Sequence, residues 1–112
     1  MKIGVTSQNF RTITGHAGKT RRFLIYESRQ TEIREMDRLD LPKEMSMHEF
    51  RGGRHPLDDL DVLITASCGQ GFAQRMEAQG VRVIATGETD PLKAVSGVVA
   101  GSDLPPPEPH EH

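Results

Sequence analysis

A few residues in this chain have side chains suited to binding a soft or borderline metal. His16 lies in a glycine-flanked loop, Gly15-His16-Ala17-Gly18, with little bulk to cover it. A neutral imidazole in such a place is free to ligate a metal. Cys68 follows an apolar run and precedes Gly69-Gln70-Gly71. A helix starting there would lower the thiol's pKa and favour the thiolate, which is the metal-binding form. His48 and His55 stand in a long middle segment beside Met45 and Met47. Imidazole, thiolate and thioether together suit an iron–sulfur cluster, copper or zinc better than magnesium or calcium. There is no CxxC pair and no HxxxH helix, so a closed four-ligand zinc site is not indicated. The same residues admit plainer roles: a turn histidine for His16, a small buried hydrophobe for Cys68. His110 and His112 form a His-x-His pair whose plainer role is that of solvated polar residues.

Cations accompany this set. Arg11, Lys19, Arg21 and Arg22 lie close together, and no acidic residue occurs from Met1 to Tyr26. Such a patch can offset the negative charge of a sulfide-rich cluster, or it can be a solvated surface with its counter-charges elsewhere in the fold. The run Gly15-His16-Ala17-Gly18-Lys19-Thr20 resembles the end of a phosphate-binding loop. That motif needs a glycine where Ile13 stands and a helix directly after the Lys-Thr pair. A strand signal follows instead, which argues against a nucleotide site.

The elements that must position these residues can be read from pattern and punctuation. Ile3–Thr6 is a short strand. Arg21–Glu27, with Phe23-Leu24-Ile25-Tyr26 in a row, is a second, and Thr31–Leu39 a third that pairs with it as a hairpin. From Asp40 to Leu60, Pro42, Pro56 and Gly52-Gly53 break the pattern into a long loop that can hold short helical turns. Asp61–Ser67 is a strand buried on both faces, Phe72–Gln79 a helix stopped by Gly80, and Val81–Thr86 a further strand. Asp90 as N-cap and Pro91 at the first helical position open a second helix, closed by Gly101, whose buried stripe is Leu92, Val95, Val98 and Val99. A strand–helix–strand half beside a hairpin half predicts a mixed sheet of about five strands flanked by helices. In such a sheet the His16 loop, the Cys68 turn and the His48 loop are expected to converge at one end.

The chain has 112 residues, 35% hydrophobic and 27% charged, with a net charge of -2. That is ordinary for one soluble domain and gives no reason to expect a nucleic-acid partner. A single cysteine cannot make an internal disulfide, and no stretch approaches the length of a membrane span, so a cytoplasmic location is expected. Residues 102–112, with Pro105-Pro106-Pro107, have almost no apolar set to bury and are expected to form a disordered acidic Pro/His tail after a domain spanning 1–101.

Taken in order, Met1-Lys2-Ile3-Gly4-Val5-Thr6-Ser7, His16-Ala17-Gly18 with Phe23-Leu24-Ile25-Tyr26, Asp61-Val62-Leu63-Ile64-Thr65-Ala66-Ser67, Gly69-Gln70-Gly71-Phe72 and Gly80-Val81-Arg82-Val83-Ile84-Ala85-Thr86-Gly87 resemble the NifX/NafY and NifB C-terminal family of dinitrogenase iron–molybdenum cofactor biosynthesis proteins. The resemblance covers Met1 to Gly101. It implies a ribonuclease-H-like α/β fold and a non-enzymatic role in binding or carrying an iron–sulfur or iron–molybdenum cluster, or its precursor. Cofactor-assembly and nitrogenase proteins would be the partners. The family commonly has His-Phe-Gly where this chain has His16-Ala17-Gly18, and Cys68 is not a fixed family feature. The candidate site is therefore His16, Cys68 and His48 as metal ligands, with Arg11 and Lys19 beside them. Two other readings compete. A two-metal nuclease on this fold needs carboxylates beginning on the first strand, and Lys2–Thr6 has none. A metal-free interaction or regulatory module would use the Met-containing middle loop as its contact surface.

Overall fold

The computed structural model describes residues 1–17, 19–30, 32–46 and 55–107. Five strands form one mixed sheet: β1 (Lys2–Thr6), β2 (Arg22–Arg29), β3 (Glu32–Asp40), β4 (Val62–Thr65) and β5 (Arg82–Ala85), in the order β3-β2-β1-β4-β5. β1, β2 and β3 are antiparallel neighbours, with a register irregularity between Ile25 and Tyr26, whereas β1, β4 and β5 run parallel. This is the mixed five-stranded α/β sheet expected of a ribonuclease-H-like motif. Two 3₁₀ turns, Lys43–Met45 and Pro56–Asp59, lie within the long β3–β4 connection.

One helix covers each face. α1 (Gln70–Ala78) joins β4 to β5, and α2 (Pro91–Val99) follows β5. Alternation along the strands sorts the core accordingly. Ile3, Val5, Leu24, Tyr26, Val62 and Ile64 pack with Ala94 and Val95 of α2. Phe23, Ile25, Leu63 and Val81 pack with Met76 of α1 and with Leu57 and Leu60. Gly4 points to the α1 side, where a Cβ would come within 2.5 Å of Leu60 Cδ1, so only glycine lets Leu60 close over β1.

The helix boundaries follow their caps. Asp90 accepts hydrogen bonds from the Leu92 and Lys93 amides, and Pro91 occupies the first turn. Gly80 and Gly101 follow the two helices at φ +87° and +77°, the left-handed conformation that ends a helix with little cost only at glycine. The stripe of α2 differs from the sequence expectation. Leu92 is 52% exposed, and the buried set is Pro91, Ala94 and Val95, with Val98 and Val99 partly covered.

The segment after Gly101 also differs from expectation. Leu104 packs on the α2 side of the core and lies against Gly97, where a Cβ would approach its Cδ2 at 2.9 Å. The Thr86 hydroxyl donates to the Pro105 carbonyl at 2.6 Å, and the Gly87 amide donates to the Pro106 carbonyl at 3.0 Å. Residues 102–107 are therefore docked, contrary to the expected disordered tail. Proline lacks an amide donor but keeps its acceptor, and one leucine suffices to anchor the run. His110 and His112 lie outside the described residues.

Candidate functional site at the carboxyl end of the parallel strands

β1, β4 and β5 end on the same side of the sheet, and the loops that leave them form the candidate site. The first loop, between β1 and β2, is built on local hydrogen bonds. Asn9 Oδ1 accepts from the Arg11 and Thr12 amides at 2.8 and 2.9 Å, and the Ser7 hydroxyl donates to the Thr12 carbonyl at 2.6 Å. This Asx turn carries Phe10 at φ +59°. The Phe10 ring lies 5.7 Å from the guanidinium of Arg22 and of Arg38, which ties the loop to β2 and β3. The Ile13 amide donates to the Thr89 carbonyl at 2.8 Å, joining the loop to the β5–α2 connection.

The loop then returns beside β4. His16 forms a parallel bridge with Ser67, and the Ala17 amide donates to the Ser67 carbonyl at 2.9 Å. The His16 loop and the Cys68 turn thus meet, as expected from topology. His16 is exposed, and its Nδ1 is 3.0 Å from Ser67 Oγ. Its Nε2 has no hydrogen-bond partner among the described residues. The Lys19 and Thr20 amides both donate to the His16 carbonyl at 2.9 Å, folding the loop into a tight turn. Gly15, at φ +92°, lies so close to Thr20 that a Cβ would meet its Oγ1 at 2.3 Å. Among the described residues that buried hydroxyl has no hydrogen-bond partner.

A relay of hydroxyls supports the Ser67 position. The Thr6 hydroxyl on β1 donates to Thr65 Oγ1 on β4 at 3.0 Å, and the Thr65 hydroxyl donates to the Ser67 carbonyl at 2.9 Å. Thr6 and Thr65 are fully buried, and buried hydroxyls of this kind hold position because each has a partner. Sequence reading missed Thr6, Thr65 and Ser67. The visible signal was the pair of hydroxyl residues two apart at the end of β4, pointing to one face next to a glycine turn.

Cys68 departs from its expected chemistry. It is half-buried and packs against the α1-side core. Burial pushes the thiol's pKa above its ordinary value of 9.0, opposite to the lowering expected from a helix N-terminus. α1 begins at Gln70 after an N-cap glycine, two residues beyond the thiol. Arg11, Lys19 and Arg21 are exposed and form no ion pair among the described residues. Arg22 instead pairs with Asp40 at 3.3 Å.

Of the two histidines in the middle segment, the one that is described, His55, does not join this site. His48 lies outside the described residues, so its place in the converging set is not described. His55 is 2% exposed and fully engaged. Its Nδ1 accepts from the Leu57 amide at 3.1 Å, so the proton sits on Nε2, which donates to the Met45 carbonyl. Both nitrogens of this imidazole serve to join the two 3₁₀ turns, which removes it from the set of available ligands. Among the described residues no three His, Cys, Asp or Glu side chains gather in a metal-binding group. No described helix is long and apolar enough to cross a membrane.

The fold is a mixed α/β sheet whose parallel strands gather their loops, with His16, Ser67 and Cys68, at one end. The chain belongs to the dinitrogenase iron–molybdenum cofactor family, whose model matches residues 1–101. Among solved structures it is similar to the crystal structure of a protein designated PH0822, at 13% identity and TM-score 0.67, covering 93% of this chain and 94% of that one. It is also similar to the NMR structure of a Thermotoga protein provisionally assigned to NifB and to the DUF35 family, at 12% identity and TM-score 0.60, covering 99% and 97%. At these identities the two structures support the fold. No curated protein matches the chain.

Proposed function

We propose that this protein binds and carries an iron–sulfur cluster of iron–molybdenum type, or its precursor, during metallocluster assembly, without catalysing a reaction. The observation that carries the reading is His16: an exposed imidazole on the loop between β1 and β2, held on one nitrogen by Ser67 and, among the described residues, without a partner on the other. A cluster brings its own sulfides as ligands and needs few from the protein. An open end offering one free imidazole fits such cargo better than it fits a bare divalent ion, which wants three or four protein ligands.

Cys68 follows the residue that holds His16 and is the second candidate ligand. Its raised pKa means that binding must displace a proton which burial retains, so it contributes less readily than the imidazole. The exposed cations Arg11, Lys19 and Arg21, which form no ion pair among the described residues, favour an anionic cargo near this end of the molecule. The cargo's donors and acceptors would be other cofactor-assembly or nitrogenase proteins.

Reconstitution under argon with ferrous iron, sulfide and molybdate, followed by metal quantification and visible absorbance, tests this reading. The parent should turn brown. His16→Ala should lower cluster affinity by about tenfold or more, at least the loss typical of removing a ligand's supporting residue, with the thermal midpoint unchanged. Cys68→Ser should give a smaller loss. Binding by both variants equal to the parent would show that the cluster sits elsewhere. A parent that stays colourless would instead favour a metal-free interaction module.

A further inference from the structure

We infer that Ser67 is a positioning residue that fixes the His16 ring and its tautomer, leaving Nε2 bare as the ligating atom. The inference rests on the reading of His16 as a ligand and adds a residue that neither the sequence pattern nor the family match assigns.

Ser67 is unusually well placed for this role. Its carbonyl accepts from two directions, the Ala17 amide at 2.9 Å and the Thr65 hydroxyl at 2.9 Å. The Thr65 hydroxyl is in turn held by Thr6. The first of these bonds joins Ser67 to the residue after His16, so the backbones that carry the two side chains are locked together. The side chains then meet at 3.0 Å between Nδ1 and Oγ. A ring held by Nδ1 presents Nε2 on its far edge.

The direction of that hydrogen bond decides the chemistry. A serine hydroxyl can donate or accept. If Ser67 donated, Nδ1 would be the unprotonated nitrogen that accepts its bond, and Nε2 would carry the proton and offer no free lone pair. If Ser67 accepts, Nδ1 carries the proton and the Nε2 lone pair is free. Only the second arrangement makes a ligand of the exposed nitrogen. Ser67 is partly exposed, so its own proton can go to water. Metal-bound histidines are held in the same manner, the second ring N–H given to an oxygen acceptor that sets tautomer and orientation.

The test uses the full chain with ¹⁵N-labelled histidine. Long-range ¹H–¹⁵N correlation spectra of the metal-free protein, at a pH where the ring is neutral, report which nitrogen carries the proton. The parent should show His16 protonated on Nδ1. Ser67→Ala should shift the ring towards the Nε2–H form and lower affinity for a cluster reconstituted from ferrous iron and sulfide by about 10- to 100-fold. Ser67→Thr, which keeps a hydroxyl, should restore both. A parent spectrum with the proton on Nε2 would overturn the inference, and that measurement needs no variant. So would a Ser67→Ala protein with parental tautomer and affinity. If His16→Ala binds cluster as the parent does, the ligand reading fails by itself, while the tautomer spectra still decide whether Ser67 sets the ring.

Discussion

Cys68 and His16 sit on adjoining turns, yet their surroundings prepare them differently. The imidazole is exposed with one nitrogen tied to Ser67, while the thiol packs against the α1-side core. Desolvation therefore disfavours the thiolate, and Cys68 should be a poor nucleophile in the folded protein. At pH 8, iodoacetamide should modify it more slowly than in the urea-denatured chain, and the folded-state rate should level off at a higher pH than the denatured rate, which levels off near the ordinary value of 9.0. Equal rates in the two states, measured by mass spectrometry, would show that the thiol is neither buried nor perturbed. The sequence correctly puts Cys68 at a strand–helix turn. It does not reveal which neighbours that turn acquires, and those neighbours decide the thiol's acidity. His55 shows the same limit from the other side. Its sequence neighbourhood of Met and His suggests a ligand, and only tertiary contacts show that both ring nitrogens are already used.

At the scale of elements, strands and helices follow signals that act locally. The β-branched and aromatic runs Phe23–Tyr26 and Val62–Thr65 form strands, and Asp90-Pro91, Gly80 and Gly101 set the helix ends. What was not legible depends on contacts between distant elements. The isolated Leu104 has no periodic partner, so nothing in the sequence marks it as buried. It nonetheless closes the space over Gly97 while two proline carbonyls take up the Thr86 hydroxyl and the Gly87 amide. Truncation after Gly101 should therefore destabilise the protein. Partial exposure of one leucine and loss of these hydrogen bonds amounts to about 1–2 kcal/mol, which for a domain of this size lowers the thermal midpoint by about 5–10 °C. Truncation after Pro107 keeps these contacts and serves as the comparison in the same melting experiment. A midpoint unchanged by the shorter truncation product would mean that the Leu104 contact contributes nothing to stability.

The whole molecule is a sheet whose two faces are closed by one helix each and whose parallel strands deliver three loops to one end. The hydrogen bonds Ile13–Thr89 and Ala17–Ser67 stitch those loops together, so the candidate site is supported from three strands at once. Stability against pH should reflect groups spread across this frame. On the acid side, the Glu88 carboxyl is held below its ordinary value chiefly by the Asp90 amide, with help from Thr89 and Lys93, and the Glu27 carboxyl chiefly by its hydrogen bond from Arg29. Lowered carboxyl values stabilise the fold above the ordinary value of 4.5, and that contribution is lost as pH falls through the folded-state values. Both carboxylates are partly exposed, so this effect is small and shrinks with added salt. On the alkaline side, burial raises the Cys68 thiol, and burial together with Glu35 and Asp90 raises the Tyr26 phenol. Above the ordinary values of 9.0 and 10.0 the unfolded chain releases protons that the folded chain retains, so stability falls as pH rises. Denaturant midpoints measured from pH 7 to 11 should decline, beginning near pH 9, and the decline should be shallower in Cys68→Ser and in Tyr26→Phe than in the parent. An identical slope in both variants would assign the alkaline loss to groups other than these two.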